Sequence, residues 1–138
     1  MSTTKDNLDL ANRFFAALGS GDMDTAGACV AQDIRWTYHG DPAQIPFAGT
    51  FTGLAGIGAF FGRFMDVAEP IEMAPAQSWA DGDKVFVRGI ERSRGKATGR
   101  EYSVDWIHVY EIRDGKIVSF DEYLDSSTVA AILSGPRT

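Results

Sequence analysis

Two histidines and one cysteine are all that this 138-residue chain has of the softer metal-binding side chains. Zinc sites draw on three or four closely spaced Cys and His ligands, so the sequence predicts neither a metal nor a cofactor. Cys29 has no internal partner for a disulfide and sits in an alanine-rich stretch, where a buried thiol behaves as a small hydrophobe. Positive charge is also scarce, with 13 Lys and Arg against 19 Asp and Glu and a formal charge of -6. A phosphate backbone needs clustered cations, which argues against a nucleic-acid partner. Arg88, Arg92, Arg94, Lys96 and Arg100 form a loose basic run, but Glu91 and Glu101 interrupt it, and it reads as a solvated turn. No apolar run is long enough to cross a bilayer, and the stretch from Met1 to Asp6 lacks an apolar leader core. The expectation is a cytoplasmic protein with no membrane partner. Nucleophile elbow, phosphate-binding loop and dinucleotide fingerprint are missing as well. Gly53-Leu-Ala-Gly-Ile-Gly58 has the wrong spacing for a phosphate loop, and no strand is predicted before it.

What is present is the composition of an ordinary globular protein, 44% hydrophobic and 23% charged, in a length that suits one domain over 1–138. Leu8, Ala11, Phe14, Phe15 and Leu18 recur at helical spacing, with Thr3 or Thr4 able to cap the start and Gly19 to end it. Asp22 or Asp24 caps a shorter helix through Ala26 and Val30, and Asp33 opens a strand over Ile34–His39. Pro42, Pro46, Gly49 and Gly53 mark the segment from Gly40 to Gly53 as a loop. Ile57, Phe60, Phe61, Phe64 and Met65 then predict a third helix ending before Pro70. Four extended stretches follow near Ile71–Trp79, Lys84–Arg92, Thr98–Ile112 and Lys116–Leu124, separated by glycine-bearing turns. Ser126–Leu133 can add a terminal helix. Helices first and a meander second predict an α+β fold with helices on one face of a curved, mostly antiparallel sheet.

Alternation along the third of these stretches puts Tyr102, Val104, Trp106, His108, Tyr110 and Ile112 on one face, predicted to point inward. His108 then lies between two aromatics, where a desolvated imidazole keeps one nitrogen to donate and one to accept. It is either a functional group or a core histidine satisfied by one hydrogen bond. Trp36 and Tyr38 share a face of the first strand, and His39 follows at the loop edge; together they can line a pocket mouth, or the aromatics can be core. Glu91 ends the apolar row Val85, Val87, Gly89, where burial would suit a carboxylate to proton transfer near neutrality; solvation at the strand end is the alternative. Asp125, before the last helix, is a second candidate carboxylate or simply an N-cap. Val118, Phe120 and Leu124 look like the core face of the last strand, which leaves Asp121, Tyr123 and Asp125 opposite unless a bulge intervenes.

Trp36 after the second helix, Pro46-Phe-Ala-Gly-Thr-Phe-Thr-Gly53 before the third, and the run from Trp106 through Phe120-Asp-Glu-Tyr-Leu-Asp125 together resemble the SnoaL-like proteins of the NTF2-like superfamily. That superfamily includes ketosteroid isomerase, polyketide cyclases and limonene-epoxide hydrolase. The resemblance implies a cone-shaped α+β barrel, usually a homodimer, with a deep pocket between sheet and helices. In the isomerases, the position of His108 holds the protonated acid of the oxyanion hole and that of Tyr38 the general base. In the epoxide hydrolases, Trp36 and Tyr38 match the water-holding residues, Glu91 and Asp125 the two aspartates, and Gly89 the arginine. The expected function is cofactor-independent acid/base chemistry, as in an isomerase or polyketide cyclase, on a small apolar carbonyl or polyketide-like compound. His108, Asp125 and Glu91 would act on it, with Trp36, Tyr38, His39, Trp106, Tyr110 and Tyr123 around it. Water addition to an epoxide and non-catalytic binding of a hydrophobic ligand are the alternatives.

Overall fold

The computed structural model describes residues 3–134. Helix α1 spans Thr4–Ser20 and begins with a capping box, in which the Thr3 hydroxyl accepts from the Asp6 amide and the Asp6 carboxylate accepts from the Thr3 amide. The helix stops at Gly21, not at Gly19, because Gly21 adopts the left-handed φ of 76° that lets its amide close the last turn. Asp22 caps α2, Met23–Cys29. Val30 opens β1, Val30–Tyr38, three residues before Asp33, with a register shift between Val30 and Arg35 absorbing the irregular start.

The predicted loop contains a short strand, β2, Gly49–Thr52, which pairs antiparallel with β1. Helix α3, Gly53–Val67, lies across the sheet. Strand β3, Ala68–Asp81, is longer than expected and carries two prolines. It tolerates them because it forms the sheet edge, with register breaks at Pro70 and Pro75. Strands β4, Lys84–Gly95, β5, Glu101–Arg113, and β6, Lys116–Leu124, complete the meander, and α4, Ser126–Ser134, follows β6. The six strands run in the order β2-β1-β6-β5-β4-β3, with β1 and β6 parallel and every other pair antiparallel.

The concave face of the sheet meets the helices in one core. Phe14 of α1 and Ile57 and Phe60 of α3 pack with Trp36, Trp106, Tyr110 and Phe120 of the sheet. Each such side chain contributes roughly 1.5–3 kcal/mol by leaving water, against about 1 kcal/mol for a helix cap, so packing onto the sheet decides where the helices sit. The six inward positions read from alternation in β5 are all buried. In β6 the expected pattern slips at Val118, which is the extra residue between the pairs Glu111–Ser119 and Ile112–Ile117. Phe120 stays inward beyond this bulge, and Glu122 joins it.

Gly89 is needed for close approach. A methyl group there would stand 2.4 Å from Cζ2 of Trp106 and 2.5 Å from the Ala74 carbonyl oxygen, so only glycine lets the indole lie across β4. Gly89→Ala is expected to cost about 2 kcal/mol in denaturant unfolding and to alter the near-ultraviolet circular dichroism of Trp106. Unchanged stability and spectrum would show that the indole has room to move.

Candidate functional site

Strand register places three polar side chains in one line across the concave face. Tyr38 of β1 faces Glu122 of β6, and Glu122 faces His108 of β5. His108 is 2% exposed and lies flat on Trp106, with ring centroids 3.8 Å apart and planes at 12°. Phe120 meets the imidazole edge-on at 4.7 Å, and Phe15 of α1 covers it at 5.8 Å. The closest charged atom is Oε1 of Glu122, 3.6 Å from His108 Nε2. That is beyond a direct hydrogen bond, and neither ring nitrogen has a hydrogen-bond partner among the described residues. A single shared donor or acceptor would bridge the gap.

Glu91 lies further along the same face, opposite Val104. Its Oε2 accepts hydrogen bonds from Ser93 Oγ at 2.7 Å and Tyr102 Oη at 3.0 Å. Burial pushes its pKa up to about 7, the negative charge of Glu122 adds to the rise, and the two hydrogen bonds partly oppose it. Near neutral pH Glu91 therefore exists both as carboxylate and as acid, the condition a proton-transfer group needs. Tyr38, Tyr102 and Tyr110 are all driven upward, by burial first and then by carboxylate charge, so their phenols stay neutral and serve as donors.

The interior is negatively biased. Among the described residues, the buried polar and charged ones are Asn7, Glu91, Ser93, Thr98, His108, Ser119 and Glu122, with no lysine or arginine. Tyr38 Oη, Tyr110 Oη, Trp36 Nε1, Trp106 Nε1 and Glu122 Oε2 are buried without a hydrogen-bond partner among the described residues. Unsatisfied buried polar groups cost about 1–3 kcal/mol each, so these atoms are the interior's unused hydrogen-bonding capacity.

Several expected positions lie elsewhere. Asp125 is exposed and N-caps α4, accepting from the Thr128 amide and from the hydroxyls of Ser127 and Thr128. Those bonds hold its carboxyl below the usual range, so it is a cap and not the second carboxylate of the interior. His39 and Tyr123 stack on each other at 4.2 Å, and His39 Nε2 sits 2.8 Å from Asp121. Both project from the other face of the sheet and do not line the interior. Trp36, Tyr38, Trp106 and Tyr110 do line it. An open groove lined by Asp6, Asn7, Asp83 and Asp114, and another between Gln44, Asp66, Lys96 and Leu133, contain none of Tyr38, Glu91, His108 and Glu122. The buried carboxylates and unpartnered donors lie instead inside the barrel. Glu122 is the residue that sequence reasoning overlooked, although alternation through Phe120 and Leu124 puts position 122 on the core face. Among the described residues, no group of three or more His, Cys, Asp or Glu is placed to hold a metal ion, and no helix is long and apolar enough to cross a membrane.

This arrangement, a curved sheet wrapped around N-terminal helices, is that of the NTF2-like proteins. The chain belongs to the SnoaL-like domain family, whose model matches residues 11–120. It is similar to an NTF2-like protein from Burkholderia xenovorans at 32% identity and a TM-score of 0.85, aligned over 96% of this chain and 98% of that one. TerC, co-crystallised with polyporic acid, shares the fold at 22% identity and a TM-score of 0.83, over 94% and 99% of the two chains. A protein of ketosteroid isomerase-like fold from Catenulispora acidiphila, in complex with trimethylamine, does so at 20% identity and 0.73, over 92% and 93%. Comparison with curated protein sequences finds no match.

Glu91 makes stability depend on pH in a defined direction. Its folded pKa of about 7 lies above the ordinary 4.5, so the folded state binds more protons than the unfolded one between those values. The contribution of Glu91 is fully present below about pH 4.5 and is lost as pH rises through about 7, by about 3 kcal/mol. Glu91→Gln is therefore expected to be more stable than the parent at pH 8 and close to it at pH 4, measured by urea unfolding. A constant difference across that range would contradict the burial of an ionisable Glu91.

Proposed function

We propose that the protein is a cofactor-independent acid/base enzyme of the isomerase or cyclase type, acting on a small, mostly apolar carbonyl compound held inside the barrel. The observation that carries this reading is Glu91, poised between protonation states in an aromatic interior that also holds Glu122 and His108. Ionised Glu91 removes a proton from the carbon beside the carbonyl, and the electron pair moves onto the carbonyl oxygen as an enolate. Tyr38 and Tyr110, neutral phenols without protein partners, donate to that oxygen, where hydrogen bonds count most because charge develops there. In an isomerisation, Glu91 returns the proton to another carbon of the conjugated system. In a cyclisation, the enolate carbon attacks a second carbonyl, and the proton goes to the new alkoxide. His108, flat on Trp106 and 3.6 Å from Glu122, orients the bound oxygen or relays the proton.

Among the described residues the interior holds no arginine to orient an attacking water, which weighs against epoxide hydrolysis. A purely binding role differs from the enzymatic one in a single measurement, exchange of the α-hydrogens of 2-tetralone in deuterated water followed by NMR. The rate above buffer is expected to rise with pH through about 7 as Glu91 ionises, and to fall at least about 100-fold in Glu91→Gln. Binding of the ketone without accelerated exchange would make this a ligand-binding protein.

The homodimer belongs to the same reading. Trp79, Ile90, Ile107 and Tyr123 are exposed on the outer face of the sheet. Arg88 and Asp105 lie on that face as well, and neither makes an ion pair among the described residues, so a twofold axis could bring the two charges of opposite copies together. Sedimentation should give a dimer that Ile107→Glu converts to a monomer; a monomeric parent would refute the interface.

A further inference from the structure

We propose that the ligand of this interior is an organic cation, a compact and mostly hydrocarbon molecule whose protonated amine sits against Oε2 of Glu122. The inference rests on the reading of the barrel interior as the substrate site, and it narrows the class of molecule that the site accepts.

Three features of the interior lead to it. First, Glu122 is 5% exposed, its Oε2 has no hydrogen-bond partner among the described residues, and its Oε1 lies 3.6 Å from His108 Nε2. A buried carboxylate oxygen is a strong acceptor that needs a donor, preferably a charged one. Second, Glu91 adds another carboxylate to the same interior, and among the described residues no buried lysine or arginine offsets the pair. A ligand carboxylate or phosphate would meet repulsion from both, whereas an ammonium would meet attraction. Third, the walls are ring faces. Trp36 stacks on Phe120 at 3.9 Å, Trp106 on His108 at 3.8 Å, and Tyr38 and Tyr110 stand beside them. Aromatic faces carry the negative end of the ring quadrupole and favour a desolvated cation by up to about thirtyfold. The hydrocarbon part of the ligand occupies the remaining apolar wall.

The test uses three compounds with one bicyclic skeleton, namely 2-aminotetralin, which is protonated at neutral pH, 2-tetralone and tetralin-2-carboxylate. Their affinities are read by quenching of the protein's tryptophan fluorescence at pH 7.5. The amine is expected to bind at least about tenfold tighter than the ketone, and the carboxylate not to bind. In Glu122→Gln, with folding checked by circular dichroism, the amine-to-ketone ratio should fall about tenfold. Should that variant fail to fold, the parent still decides the matter, because amine affinity should rise from pH 6 to pH 8 as Glu91 ionises while ketone affinity does not. Equal affinities, a preference for the carboxylate, or no binding by any of the three overturns the proposal. Exchange of the ketone α-hydrogens without a preference for the amine overturns the cation and leaves the acid/base reading intact. Preference for the amine without exchange does the opposite.

Discussion

Burying two carboxylates on one concave sheet face, with no buried lysine or arginine among the described residues to neutralise them, is the constraint on which the other features of this interior depend. An isolated ionised carboxylate is too costly to bury, so the pair must share protons, collect donors or engage a ligand. Glu91 does the first two through its raised pKa and its bonds to Ser93 and Tyr102. Glu122, with one oxygen facing His108 and the other unpartnered, retains a bonding capacity that the protein does not fill.

The fold supplies the conditions under which that charge becomes useful. Phe14 and Phe15 of α1 and Phe60 of α3 close the concave face, so the carboxylates act in a medium where electrostatic effects are weakly screened. Gly89 keeps β4 thin enough for Trp106 to lie flat, and Trp106 in turn holds the His108 ring by stacking. Positioning of the imidazole thus depends on a glycine on the neighbouring strand as much as on His108 itself. Groups held by packing rather than by flexible loops keep their geometry through a reaction, which is what differential stabilisation of a transition state requires.

Much of this architecture was readable in the chain. Period-3.6 spacing at Leu8, Phe14 and Leu18 marks the helix face because all three pack against the core, Leu8 and Leu18 half-buried and Phe14 fully, and strict alternation from Tyr102 to Ile112 marks the strand face because its inward positions are all buried. Interruptions were harder to see. The bulge at Val118 broke the alternation of β6, and attention to Asp121, Tyr123 and Asp125 passed over Glu122, whose place between Phe120 and Leu124 was the available signal. Strand β2 hid among prolines and glycines because four residues on a sheet edge carry almost no periodicity. Asp125 had two readings from sequence, and only the hydrogen bonds to Ser127 and Thr128 separate a helix cap from a site carboxylate.

The most direct test is a carbon-13 NMR titration of the side-chain carboxyl of Glu91 in the intact protein, assigned with Glu91→Gln. A midpoint near pH 7 is predicted, because burial and the neighbouring charge of Glu122 both favour the protonated form. A midpoint near the ordinary glutamate value of 4.5 would mean that water reaches the carboxylate freely, and the interior would then not be the acid/base centre described above.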